Sequence, residues 1–264
     1  MSEGEAQAFL RITNVGVRFG GLQALDGVSF DVARGSVVGL IGPNGSGKTT
    51  LMNVLSGVLK PTAGDVTFRG KRIADVPAYD VCKLGIARTF QIVKPFANLT
   101  VRENVAVGAM YGRDGSTRGT HAAFEHADAL LEIVGLARVA ARPASELTIP
   151  DRKRLEVAKA LALDPDLLLL DEVMAGLNAS EVDEALDLLR SLTARGVTLI
   201  VVEHLMKAIM SISTTIVVLA EGRKIAEGAP LEVTRSPAVI EAYLGRRYVE
   251  RLQARGAAVP GSDA

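Results

Sequence analysis

Apolar positions along the chain change spacing twice, and the changes divide it into three zones. From Ala8 to Gly70, the stretches Leu10 to Val17, Val28 to Val32 and Asp65 to Phe68 read as strands, broken by glycine turns at Gly20-Gly21, Gly35 and Gly64. From about Val93 to Leu163 the spacing becomes helical. Phe124, Ala127, Leu130, Leu131 and Val134 share one face over 122–134, and Leu155, Ala158, Leu161 and Ala162 repeat in the same way. From Leu167 onward, short apolar runs alternate with helical stretches over 180–194 and 205–212, as expected for a parallel sheet covered on both faces. The pattern predicts an α/β protein with a β-rich start and a helical insertion between two halves of a sheet. No internal repeat is visible. The end, from Arg246 to Ala264, reads as a solvated helix with a frayed terminus.

Three of the apolar runs end on chemistry. Val37 to Ile41 reads as a buried strand and Thr50 to Leu55 as the first turns of a helix; the residues between them fit G-x-x-x-x-G-K-[ST]. In this setting glycines let successive backbone N–H groups point inward at phosphates, and the helix N-terminus adds partial positive charge. The candidate nucleotide-binding residues are therefore Gly42, Pro43, Asn44, Gly45, Ser46, Gly47, Lys48, Thr49 and Thr50. Lys48 would reach the β- and γ-phosphates of ATP, and the Thr49 hydroxyl would ligate Mg²⁺.

The second run is Leu167-Leu168-Leu169-Leu170-Asp171-Glu172. Ligands of open parallel sheets sit at the carboxyl ends of the strands, where these two carboxylates emerge. Asp171 would hold Mg²⁺, directly or through water, while Glu172 would polarise the attacking water. The alternative is that the pair caps the next helix. The third run, Val197 to Glu203, ends in His204, whose imidazole would hydrogen-bond the γ-phosphate or the water. His121 and His126 lie in the helical zone without neighbouring carboxylate or thiol clusters and read as solvent-exposed.

Composition narrows the setting. Among 264 residues, 48% are hydrophobic and 23% charged, which excludes disordered and fibrous chains. Thirty basic residues balance thirty acidic ones, so no electrostatic footprint for nucleic acid is present. A single Cys82 cannot form an intrachain disulfide, and no charged-then-apolar leader appears before Phe9, which fits a reducing cytosol. The longest apolar runs fall well short of about 18 residues, so no transmembrane helix is expected.

The order of these motifs resembles the ATPase subunit of an ABC transporter over roughly residues 8 to 245. The resemblance rests on the phosphate loop, Gln91 after Ile86-Ala87-Arg88-Thr89-Phe90, the helical insertion, Asp171-Glu172, Ala175-Gly176-Leu177-Asn178 and His204. It implies a P-loop NTPase core of the α/β class with a mainly parallel sheet, an N-terminal antiparallel β subdomain and an inserted helical subdomain. Residues 8–90 and 164–245 would form the core, 91–163 the helical subdomain and 246–264 a tail. Phe19, in Val17-Arg18-Phe19-Gly20, would stack on adenine, the alternative being an ordinary core aromatic. Gln91 would link Mg²⁺ and the attacking water to the helical subdomain. The segment Pro95-Phe96 with 99–104 resembles the surface that receives the coupling helices of the membrane subunits, and Asn178 falls in the loop that meets the opposite ATPase.

Three phrases, 171–178, 202–206 and 241–245, are similar to ATPases serving importers of branched-chain amino acids, urea and short amides. The implied partners are two transmembrane permease subunits, a second ATPase subunit and, indirectly, a substrate-binding protein. The implied location is the cytoplasmic face of the inner membrane, as a peripheral subunit. A lipid or polysaccharide exporter, or a soluble nucleic-acid-associated ATPase, shares the catalytic motifs.

One departure changes the expected assembly. Where the family carries Leu-Ser-Gly-Gly-Gln, this chain has Leu147-Thr148-Ile149-Pro150-Asp151. The resemblance gives Thr148 a contact, in trans, with nucleotide on the opposite subunit. Both glycines are gone, Pro150 has no N–H to offer an anion, and Asp151 would bring negative charge toward phosphate. The most economical arrangement is a heterodimer in which another ATPase supplies an intact signature.

Overall fold

The computed structural model describes residues 8–89, 95–111 and 118–244; Gln91 and the tail 246–264 lie outside them. The chain forms two compact units, Met1–Asp75 with Ile209–Ala264, and Val76–Ala208. The first begins with strands β1 (Leu10–Phe19), β2 (Leu22–Val32) and β3 (Val37–Ile41), helix α1 (Lys48–Leu55), and strands β4 (Ala63–Phe68) and β5 (Lys71–Arg72). The second contains α2 (Ala78–Lys83), β6 (Ile86–Arg88), α3 (Val101–Met110), α4 (Thr120–Ile133), α5 (Ile149–Leu161), β7 (Leu167–Asp171), α6 (Ala179–Ala194) and β8 (Thr198–Val202). After α7 (Met206–Ile212) the chain completes the first unit with β9 (Thr215–Ala220), β10 (Arg223–Gly228), α8 (Pro230–Thr234) and α9 (Pro237–Leu244).

In the first unit, β2, β1, β4 and β5 pair in that order as an antiparallel sheet. Leu10 and Ile12 point inward by strand alternation, and a register shift between Ile12 and Val15 resets the inward set to Val15 and Val17. Asn14 takes a left-handed φ of 47° at that shift. Gly64, expected in a turn, lies inside β4 opposite the irregularity. It is glycine because a Cβ there would meet the Asn14 carbonyl oxygen at 2.2 Å. A separate set joins β3 parallel to β9, with β10 antiparallel to β9 at the edge. Every residue of β3 is buried, as its unbroken apolar run requires.

In the second unit, β6, β7 and β8 run parallel, and β7 and β8 are buried along their whole length. The helical zone packs as predicted, with Leu155, Ala158, Leu161 and Ala162 in the core. One position differs: on α4 the buried residue is Ala123, while Phe124 is half-buried beneath the Arg102 guanidinium, 4.6 Å from its ring centre. His126 also departs from the exposed reading, since its Nε2 lies 3.1 Å from Asp164 Oδ1. An acceptor at the start of the β-strand zone gives a helical histidine a fixed partner that helical spacing alone does not reveal.

Candidate functional site

In the first unit, β3 delivers the chain into the glycine-rich loop. Gly42, at φ 149°, leaves no room for a side chain, because a Cβ would lie 2.0 Å from the Leu219 carbonyl oxygen on β9. Gly45 and Gly47 take φ values of 78° and 102°, the second as the N-cap of α1. The Lys48 side chain turns back into this curl and donates to the carbonyls of Gly42 at 2.7 Å and Pro43 at 2.9 Å. Neutral carbonyls are weak partners for a buried ammonium, and an anionic phosphate oxygen is a stronger one. Ser46 is buried, yet its Oγ has no hydrogen-bond partner among the described residues. An unsatisfied hydroxyl and a cation turned back onto the loop carbonyls, at a helix N-terminus, fit an anionic phosphate chain. Asn44, Gly45 and Thr49 are exposed on this loop, with Pro43 and Thr50 half-buried.

Phe19 ends β1 and is 51% exposed, so the core-aromatic alternative does not hold. Tyr243, on α9, was not expected near the loop. Burial pushes its phenol up, and a hydrogen bond with the Gly42 backbone pulls it back, which places the tyrosine at the loop's first residue. Only its membership in the phrase 241–245 pointed to it.

In the second unit the strand ends gather the carboxylates. Asp171 closes β7, is 4% exposed, and pairs through Oδ2 with Arg88 Nη2 at 2.9 Å. Its backbone N–H donates to Thr89 Oγ1 at 3.2 Å, while Thr89 N–H bonds the Leu169 carbonyl, so β6 fixes the end of β7. The next residue, Glu172, turns to a left-handed φ of 52°. Its N–H donates to Val202 O at 2.9 Å, and its Oε1 lies 2.7 Å from His204 Nε2. Behind them, buried Glu203 accepts the Met174 N–H at 2.7 Å, and burial pushes its carboxyl up. The next helix is capped by Asn178, whose Oδ1 accepts Glu181 N–H at 3.1 Å, so capping by Asp171 or Glu172 does not hold.

The altered signature opens α5. Thr148 is its N-cap, with Oγ1 accepting Asp151 N–H at 3.3 Å, and Pro150 sits in the first turn. Asp151 is buried, with Oδ1 at 4.0 Å from Arg154 Nη1, whose guanidinium also pairs with Glu184. Ile149 and Thr148 are both exposed at this helix start.

The structure brings Glu172 and His204, both named from the sequence, within 2.7 Å of each other beside Asp171; Arg88, Lys153 and Glu203 were not named as site residues. Glu203 had a signal, an acid continuing an apolar strand. Arg88 and Lys153 had none, since lone cations on such elements ordinarily face water.

A buried strand, a left-handed glycine loop and a helix that starts on Lys48 define a P-loop nucleotide-binding protein of the α/β class. Residues 25–175 match the ABC transporter family and 223–249 the branched-chain amino acid ATP-binding cassette transporter family. The chain is 38% identical to the high-affinity branched-chain amino acid transport ATP-binding protein LivG of Salmonella typhimurium, over 91% of this chain and 99% of the relative. It is 37% identical to BraF, of the same description, from Pseudomonas aeruginosa, with the same coverage. A nucleotide-free ATP-binding cassette from an ABC transporter superposes with a TM-score of 0.82 at 32% identity, covering 91% of this chain and 100% of that one. The ADP conformation of such a cassette gives the same TM-score, identity and coverage. The chain belongs to the ABC transporter family, as a nucleotide-binding ATPase subunit whose work implies membrane permease partners. Among the described residues, no helix is long and apolar enough to cross a membrane.

Proposed function

We propose that this chain is the ATP-hydrolysing motor of an importer for branched-chain amino acids or related small amides and urea, at the cytoplasmic face of the inner membrane. The descriptions of its relatives support the substrate class. The observation that carries the chemistry is the Glu172 carboxylate held 2.7 Å from the His204 imidazole, one residue beyond Asp171. Glu172 would take the proton of the attacking water, and His204 would orient the carboxylate, the water or the γ-phosphate. Lys48 and the loop amides would hold the triphosphate, with Phe19 stacked on adenine.

Mg²⁺ would be held by Thr49, Asp171 and Gln91. Hydroxyl, carboxylate and amide oxygens suit that hard cation, and among the described residues no His, Cys, Asp and Glu cluster competes for a softer metal. When bound, it would neutralise phosphate charge.

Two permeases, a second ATPase and a substrate-binding protein complete the proposed assembly. Pro150 without an N–H and outward Ile149 favour a partner ATPase with a different signature. Purification of the tagged chain from membranes tests this, together with ATP-driven leucine uptake into vesicles. Two permeases and a second ATPase are expected. Two copies of this chain with no other ATPase would overturn the heterodimer, and recovery of RNA without membrane protein would overturn the transport reading.

A further inference from the structure

Glu172 occupies a backbone conformation that L side chains rarely adopt, with φ at 52°. A residue in that region persists only where its surroundings over-determine it. Here hydrogen bonds to its N–H, its carboxylate and its carbonyl hold it. Its N–H is tied to the Val202 carbonyl, its carboxylate to His204, and its carbonyl accepts the Lys153 ammonium at 2.7 Å and, less closely, the Ala175 N–H at 3.3 Å. The first two partners come from β8 and the residues just after it; the third comes from the middle of α5, a helix whose lysines could all have faced water.

The same ammonium answers a charge problem. Glu172 and buried Glu203 follow the ends of neighbouring strands. Burial and the negative Glu172 raise the Glu203 carboxyl, while backbone bonds from Met174 and His204 and the positive Lys153 lower it. Lys153 is therefore a side-chain cation that bears on Glu203 as well as a donor to the backbone of Glu172.

We propose that Lys153 is a positioning residue for hydrolysis: it fixes the left-handed turn at Glu172 and so aims the carboxylate. The proposal rests on the reading of Glu172 as general base. Without the ammonium, the carbonyl of Glu172 keeps the longer bond, from the Ala175 N–H at 3.3 Å, the peptide after it is held less tightly, and the carboxylate leaves the line set by His204. Because Lys153 lies on the helix that Thr148 caps, any shift of α5 along its axis is transmitted to the backbone of Glu172 within one side-chain length.

The test compares Lys153→Met, Lys153→Arg, Glu172→Gln and the Lys153→Met/Glu172→Gln double variant in the assembled transporter. Lys153→Met is expected to lower kcat by about 100-fold, the scale of a misplaced catalytic group, while the ATP dissociation constant stays within about twofold. Lys153→Arg keeps a donor and a charge and recovers most of the turnover. On the Glu172→Gln background, Lys153→Met produces no further loss, because both changes remove the same function. Where Lys153→Met does not fold, Lys153→Gln gives the same comparison. Unchanged kcat in Lys153→Met, or an equal loss repeated on the Glu172→Gln background, overturns the proposal alone. Full turnover in Glu172→Gln by itself removes the base assignment and the proposal with it.

Discussion

Arg88→Met isolates the buried ion pair at the end of β7. Arg88 and Asp171 are 5% and 4% exposed in their side chains and meet at 2.9 Å, so water does not replace either partner. Removing one member of such a pair leaves an uncompensated buried charge, which costs about 3–5 kcal/mol. At about 2–4 °C per kcal/mol for a chain of this size, the melting temperature without nucleotide falls by about 6–20 °C. Methionine keeps most of the arginine stem, so little of the loss comes from packing. Adding Asp171→Asn removes the stranded charge and restores part of the loss, which gives a coupling energy from the four-protein cycle. The assay is differential scanning calorimetry of the four proteins without nucleotide or magnesium. A melting temperature for Arg88→Met within about 2 °C of the unaltered protein would show that Asp171 is solvated or neutral, and the pair would lose its structural role.

The remaining predictions concern the nucleotide loop and the helical zone. Phe19→Ala, at an exposed strand end, weakens ATP and GTP alike by about 1 kcal/mol, or about fivefold in dissociation constant, since stacking ignores the purine edge; an unchanged value refutes stacking. Gly42→Ala forces the loop away from the Leu219 carbonyl and abolishes nucleotide binding by isothermal titration; binding within about threefold of normal would contradict the contact. The Asp164 carboxyl, bonded by His126 and Arg118, is held below its ordinary value of 3.8. Its contribution to stability is therefore complete above that value and is lost as the pH falls below it. Asparagine tolerates the left-handed φ of 51°, so Asp164→Asn lowers the melting temperature at neutral pH by a gap that closes toward acid; a constant gap contradicts the assignment.

Elements with one strong period were legible. β3, β7 and β8 are continuous apolar runs, and the helices over 120–133 and 179–194 carry clear helical faces, so existence and type followed from spacing. Short or edge elements were not: β5 and β6 span two or three residues, too few to show a period, and β10 pairs as an antiparallel edge with mostly half-buried positions. The site divided along the same line. Asp171, Glu172 and His204 sit where strands end, a place that sequence marks. Arg88 and Lys153 become visible only when distant segments meet, because their partners lie 83 and 19 residues away. The signature segment was read for its missing glycines, and the burial of Asp151 one residue beyond Pro150 was not foreseen from it.

Turnover and binding measured side by side in Glu172→Gln and Lys48→Ala, each in the complete transporter, test the central claim most directly. Glu172→Gln is expected to bind ATP with near-normal affinity, to lose most hydrolysis and to accumulate a closed, ATP-loaded complex. Lys48→Ala is expected to lose binding itself. Near-normal hydrolysis in Glu172→Gln, or equal loss of binding in both variants, would contradict the division of labour between the phosphate loop and the carboxylate at the end of β7.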